Sequence, residues 1–322
     1  MIKVLDLLQQ KSIKALEKAK KLILSEKIES KRAREALKYY VKNWNDTTHP
    51  GLLALACEAV GGNIEKIEPM QIVMLYLTAA MDLHDDIIDE SKVKNGKTTV
   101  FGKYGKDITL LLGNAMMIKG FTFLLDYSKK LNPKTLQAIL KVIKDSFFNV
   151  GNAHLLEIDF KNKEVSPVHY LRILERKASL LEAHMTIGAI LGEGNVEEIK
   201  TMKLYGKNLG ILISLREEFI DIFEPEELKN RMKSEILPLP LLYAFINPHI
   251  KNKMLKILSK PKISSKDTEK IIECTFRDKN VKKLKNYMRK LAKEAFCAIK
   301  EIKNKQIRKD LTLLIQGSLE DL

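Results

Sequence analysis

Two triplets of carboxylates are the residues of this chain whose types and spacing most directly imply chemistry. The segment from Leu75 to Glu90, LYLTAAMDLHDDIIDE, is apolar over several turns and then presents Asp85, Asp86 and Asp89. On a helix Asp85 and Asp89 share a face one turn apart, with Asp86 beside them. Like charges so placed repel, so an acidic end on an apolar helix calls for a neutralising cation. Hard oxygen ligands at this spacing suit Mg²⁺, which takes one or two carboxylates and completes its shell with water and substrate phosphate. The segment LREEFIDI repeats the pattern with Glu217, Glu218 and Asp221, after an apolar stretch through Leu209, Ile211, Leu212, Ile213 and Leu215. Either triplet alone also reads as a solvated acidic helix end. Two of them facing across a helical bundle would seat a diphosphate on shared ions, which turn it into a leaving group by Lewis-acid action. Lys94, Lys97 and Lys177 are candidates to clamp its remaining oxygens.

The elements that must position these acids read as helices nearly throughout. Apolar residues recur at spacings of three and four, without strand alternation or hairpin turns. Pro and Gly punctuate the pattern, from Pro50 and Gly61-Gly62 to Pro248 and Pro261. The fold class is therefore all-α: one domain over residues 1–322, with 259–268 as an inter-helix loop and no internal repeat. With 45% apolar and 30% charged residues, the chain has a sizeable core and is neither disordered nor a disulfide-stapled mini-protein. The longest charge-free apolar run, Ile72 to Met81, falls short of the roughly 20 residues a membrane span needs. Charges within the N-terminal apolar stretch argue against a signal peptide. Cys57, Cys274 and Cys297 fit neither a disulfide framework nor a zinc site, and suit a reducing cytoplasm. A net charge of +15 favours anionic partners, though scattered lysines on solvated faces account for most of it. Nucleic acid is disfavoured, because helix-turn-helix, zinc-finger and basic–aromatic patterns are missing. The amphipathic, Lys-rich segment 1–25 fits loose contact with a membrane surface.

In this order the segments resemble the trans-isoprenyl diphosphate synthase, or polyprenyl synthetase, family. DDIID at 85–89 matches its first aspartate-rich motif, DDxxD, and ESKVKNGKTTVFGKYGKDITLLLGNAMM (90–117) its following loop and helix. RKASLLEAH (176–184) is similar to its lysine-bearing motif, and YGKNLGILISLREEFID (205–221) to its second aspartate-rich region. The resemblance implies the isoprenoid synthase fold, a helical bundle around a central cavity, and a homodimer. It implies an allylic prenyl diphosphate bound through three Mg²⁺ ions held by both acid motifs. Ionisation then gives a carbocation, which isopentenyl diphosphate attacks, and the growing chain lies in an apolar tunnel.

Carried over residue by residue, Asp85, Asp86 and Asp89 match the first metal motif, while Glu217, Glu218 and Asp221 stand where the second DDxxD belongs. Lys94 and Lys177 fall at diphosphate-binding positions, and Lys94-Asn95 replaces an arginine pair. Asn152 falls where the family often carries Gln on a cavity-lining helix. Ala80 and Met81 stand where an aromatic would block the tunnel, so a substrate or product of about twenty carbons or longer is expected. Tyr76 or Met74 would form a floor, with ordinary packing as the competing reading. The departures concentrate on isopentenyl diphosphate. The stretch WNDTTHP (44–50) replaces GGKxxRP, putting Asp46 and His49 at the lysine and arginine positions, and Thr78 replaces a His or Gln. Each lost charge-assisted bond is worth about 1.5–3 kcal/mol, so this pocket is not expected to hold that second diphosphate in the usual way.

Three readings follow: a prenyltransferase with a different acceptor, a class I terpene-synthase-like enzyme that needs no second diphosphate, or a non-catalytic partner subunit of an active homologue. The paired like charges argue against the third, since a dead subunit has no need of them. His84 is read as a hydrogen-bonded wall residue, Trp44 as packing, and Phe147, Phe148, Phe219 and Phe223 as helix-stripe core.

Overall fold

Short polar side chains start many of the helices. The Ser30 hydroxyl accepts from the Ala33 amide, Ser166 from His169, and Ser264 forms a reciprocal capping box with Asp267. Proline in the first turn of several others supplies a pre-set φ where no amide donor is needed. The computed structural model describes residues 2–94, 96–161 and 163–320, so Asn95 lies outside the described residues. In chain order the helices are α1 (Ile2–Leu24), α2 (Lys31–Asn43), α3 (Thr48–Ala59), α4 (Glu68–Ile88), α5 (Val100–Tyr104), α6 (Lys106–Ser128), α7 (Pro133–Phe160) and α8 (Pro167–Lys177). They continue with α9 (Ser179–Leu191), α10 (Val196–Ile220), α11 (Pro225–Ser234), α12 (Leu239–Ala244), α13 (Pro248–Leu258), α14 (Ser265–Arg277), α15 (Lys279–Ala298) and α16 (Lys305–Gly317). A small antiparallel hairpin, β1 (Val93–Lys94) with β2 (Lys97–Thr98), follows α4 and pairs Val93 with Thr98 and Lys94 with Lys97. It corrects the expectation that hairpins are absent. Its signal is the Asn95-Gly96 dipeptide, and Gly96 takes the positive φ of 71° that such turns require.

The chain divides into two compact units, Met1–Lys141 with His184–Ile199 and Val142–Ala183 with Lys200–Leu322. The centre of the first is α4, buried continuously from Met70 to Ala80. A helix apolar all round belongs inside a core. Its neighbour α6 approaches closely because Gly113 and Gly120 face it. A methyl group on Gly113 would sit 2.5 Å from the His84 ring nitrogen, and one on Gly120 would press on Leu77 and Tyr76. On another side α1 packs against α4 through Ala15, Leu16, Ala19 and Ile23, and the Tyr76 hydroxyl donates to the Ala19 carbonyl at 2.7 Å. By length and composition alone α6 is apolar enough to cross a membrane, which the charge-free-run criterion missed because Lys119 interrupts the run. Its glycine face packs on α4 as a core helix does.

The second unit has its own core. Ile222, Leu228, Leu241, Met254, Ile257 and Ile271 cluster together, while Tyr205 donates to the Leu311 carbonyl at 2.7 Å. The last turns of α10 are buried at Leu212, Leu215 and Phe219, so the acids beside them stand on a fixed helix end.

Candidate active site

Within the first unit, Asp85 and Asp86 lie in the last turn of α4 and Asp89 is its C-cap. Two further residues extend the row: positions 78, 82, 85 and 89 follow one face, so Asp82 adds a carboxylate and Thr78 a hydroxyl. The hairpin returns Lys94 to 3.8 Å from Asp86 Oδ1, because its two strands fold the chain straight back after α4. Burial raises the Asp86 carboxyl; Lys94 opposes, Asp82, Asp85 and Asp89 add, and it is pushed up to about 6. Asp82 is raised too, first by its close protein surroundings, against the pull of Lys94 and His49. Its surface nonetheless remains open to water, so it is not a core residue. The same four acids overcome the burial of Lys94 and hold its ammonium above its ordinary range. Lys94 does not bring Asp86 back to the usual carboxylate range, and a divalent cation would favour its charged form against both burial and the neighbouring acids.

Behind the row sits an imidazole–carboxylate pair. His49 Nδ1 and Asp46 Oδ2 are 2.9 Å apart, the His49 amide donates to the other carboxylate oxygen at 3.2 Å, and the Thr78 hydroxyl reaches Asp46 at 3.4 Å. The buried His184 ring lies against His49, with centroids 4.9 Å apart. Burial alone would lower the His49 pKa, but the charge and hydrogen bond of Asp46, together with Asp82, raise it. Burial likewise works against the Asp46 carboxylate, yet His49 and then His184 hold its pKa below the usual range.

In the second unit the acids have a different environment. Glu217 lies on the exposed flank of α10. Glu218 is buried, and Arg231 of α11, itself only 4% exposed, donates to its Oε1 at 2.9 Å. The other terminal nitrogen of Arg231 reaches Asp221 Oδ2 at 2.5 Å. The guanidinium also donates to the Tyr170 hydroxyl at 2.7 Å and the Ile236 carbonyl at 2.8 Å. Tyr170 donates to Glu218 Oε1 at 2.9 Å, and the Leu239 amide to Oε2 at 2.6 Å. Burial of Arg231 is outweighed by Glu218, Tyr170 and Asp221, which raise its pKa well above the ordinary value.

The remaining expected positions are spread over several environments. Lys177 ends α8 and pairs with Glu157 at 2.6 Å; Asn152 is an exposed residue of α7; Lys97 is exposed on β2. Ala80 and Tyr76 are fully buried in the α1–α4 packing, on the flank of α4 away from Asp85, while Met81 is half-buried. Trp44 packs between Tyr40 and Tyr76, Phe219 is buried, and Phe148 is 68% exposed rather than core.

A sequence profile of the polyprenyl synthetase family matches residues 30–275. The chain belongs to the polyprenyl synthetase family. Among similar proteins of known role, a geranylgeranyl diphosphate synthase of Methanosarcina mazei is 28% identical over 239 residues, covering 73% of each chain. A short chain isoprenyl diphosphate synthase of Methanothermobacter thermautotrophicus is 24% identical over 70% of this chain and 69% of its own. Among solved structures, a geranylgeranyl pyrophosphate synthetase from Pyrococcus horikoshii superposes with a TM-score of 0.87 at 22% identity, covering 99% of both chains. One from the archaeon Geoglobus acetivorans has a TM-score of 0.82 at 20% identity, covering 98% of this chain and 99% of its own. At those identities the structures establish the fold, which is the expected all-α isoprenoid synthase fold.

In this member of the family the site residues missed in the sequence are Asp82, Tyr170 and Arg231. Asp82 was visible in MDLHDD, three positions before Asp85 and so on the same helix face. Arg231 and Tyr170 carry no local signal, because they meet Glu218 from 13 and 48 positions away in the chain.

Proposed function

We propose that the protein is a Mg²⁺-dependent, prenyltransferase-type enzyme that ionises an allylic prenyl diphosphate of about C15–C20 or longer at the end of α4. Membership of the family supports prenyl transfer in isoprenoid biosynthesis, and relatives named geranylgeranyl diphosphate synthases support that chain length. The single observation that carries the reading is the acidic row of Asp82, Asp85, Asp86 and Asp89, in which burial first and the neighbouring acids second raise Asp86 despite Lys94 beside it. Among the described residues no three acidic, His or Cys side chains already converge as a closed cage. Mg²⁺ needs none, since it binds through one or two carboxylates and the phosphates of its substrate. Asp85, Asp86 and Asp89 would hold the metal, which when bound supplies Lewis-acid neutralisation of the departing diphosphate. Lys94 meets the same oxygens as a point charge.

The acceptor is a second matter. In the family comparison Asp46 and His49 take the lysine and arginine positions that serve isopentenyl diphosphate, and the structure pairs these two side chains with each other. Bonded to each other, a carboxylate and an imidazole stand where two cations would serve a second diphosphate, which supports an acceptor that is bound differently or carries no diphosphate. Incubating the protein and Mg²⁺ with C10, C15 and C20 allylic diphosphates, each with and without isopentenyl diphosphate, tests both parts. Diphosphate release that depends on Asp85 and Asp89 supports the ionisation site, and chain growth by isopentenyl units refutes the loss of its pocket. Release with no second substrate would favour the terpene-synthase-like reading.

One observation favours a second reading, a non-catalytic subunit that modulates an active homologue. Arg231 compensates two acids of the second motif from within the chain, so their retention does not by itself require metal. No turnover alone, with altered rate or product length when an active homologue is added, would support it. We also propose that the protein is a homodimer. Leu111, Ile118 and Leu125 follow one another at seven-residue spacing on α6 and are 65%, 63% and 66% exposed, an apolar stripe that a second copy would cover.

A further inference from the structure

We infer that Arg231 is a resident counter-cation that closes Glu218 and Asp221 Oδ2 to divalent ions, so that Glu218 does not ligate metal in this protein. The inference deepens the proposed function, and rests on it only for the first-motif ions.

Three of the roughly four acceptor positions of Glu218 are taken. Oε1 receives both Arg231 and Tyr170, and Oε2 receives the Leu239 amide. These are charge-assisted or amide hydrogen bonds at 2.6–2.9 Å, within a carboxylate that is 6% exposed. A hydrated Mg²⁺ has no approach to such a group without displacing the guanidinium. Asp221 is more open, yet its Oδ2 is also held by Arg231. Arg231 in turn is anchored from a direction no metal would require, through its Nε to the Ile236 carbonyl. A guanidinium fixed on three sides and hydrogen-bonded to two carboxylates satisfies charge and geometry together. At Glu218 the chain itself supplies the cation, whereas burial and Glu218 keep the Asp221 carboxyl raised against the pull of Arg231. Glu218 therefore does not fit the metal-ligand role that the family resemblance assigns to it.

The test counts ions directly. Mn²⁺ binding to the full-length protein is followed by the electron paramagnetic resonance of free Mn²⁺, in the presence of inorganic diphosphate. The expected result is an unchanged stoichiometry and affinity, within twofold, in Glu218→Gln, and loss of the bound ions in Asp85→Ala with Asp89→Ala. Arg231→Met is expected to gain bound Mn²⁺, a gain abolished by adding Glu218→Gln. Loss of one or more ions, or a tenfold weaker site, in Glu218→Gln alone would overturn the inference. That comparison leaves Arg231 in place, so it decides the matter even where Arg231→Met does not fold. Wild-type protein that takes up no Mn²⁺ at all would leave Glu218 closed, as inferred, while removing the first-motif metal site. The two failures are thus distinguishable.

Discussion

At the scale of single residues, the informative feature is how differently two sets of acids are compensated. Asp86 is pushed up to about 6 by burial and three acidic neighbours against one lysine. A carboxyl raised in the folded state binds its proton more tightly there than in the unfolded chain. Stability is therefore lost as pH rises from about 4 to about 6, and stays lost above. Asp86→Asn should stabilise the metal-free protein by roughly 1–3 kcal/mol at neutral pH and change it little at about pH 4, read from urea midpoints at the two values. The same proton must leave before a cation binds. Mg²⁺ affinity in the presence of diphosphate should accordingly fall steeply below about pH 6, with proton release visible by calorimetry in buffers of different ionisation enthalpy. The Asp46–His49 pair adds stability within a pH window. The raised His49 stabilises below about pH 6.5 and loses that contribution as pH climbs through its folded pKa; the lowered Asp46 stabilises above about pH 4 and loses it as pH falls further. The stability gap between wild type and His49→Gln should be widest between those values and narrow towards pH 9.

At the scale of elements, helix ends and close helix pairs set the chemistry. The end of α4 delivers its acids because α4 is held on both flanks, by α1 at Tyr76 and by α6 at its glycines. Gly113→Val would drive two methyl groups into the His84 ring and should cost about 1–3 kcal/mol by overpacking, measured by chemical denaturation. A parallel loss of diphosphate-dependent Mn²⁺ binding would show that this packing positions the acidic row. The α10–α11 connection is a different device. Removing one partner of a buried ion pair leaves the other uncompensated, which costs about 3–5 kcal/mol. Arg231→Met should fall by that order in equilibrium unfolding, and Arg231→Met with Glu218→Met should recover part of it. No recovery would mean that Arg231 matters chiefly through Tyr170 and Ile236.

At the scale of the whole molecule, the exposed stripe of α6 is the feature that a monomer has least use for. Ile118→Glu with Leu125→Glu should convert a dimer into a monomer in light scattering coupled to size exclusion, with helix content by circular dichroism unchanged. An unaltered mass would place the dimer contact elsewhere or show that wild type is monomeric. The division into two compact units also bears on how each acid motif is read, since the two clusters lie in different units and each has its own compensation, Lys94 in one and Arg231 in the other.

Much of this was legible in the chain. Helix periodicity along α4 and α10 marked both acid triplets, and the DDIID and RKASLLEAH segments pointed to the family that the profile match established. Asp82 was there to be read from spacing alone. These properties are local: a helix fixes which residues share a face within a few positions. Whether an acidic triplet is left short of positive charge is not local. Lys94 reaches Asp86 because a hairpin folds back on α4, Arg231 reaches Glu218 because α11 returns to the end of α10, and His184 meets His49 across more than a hundred residues. Two triplets of nearly the same pattern therefore acquire different partners, a lysine 3.8 Å from Asp86 in one and a buried guanidinium bonded to Glu218 and Asp221 in the other, since the strength of a carboxylate depends on its burial and on which cation the fold brings within a few ångströms.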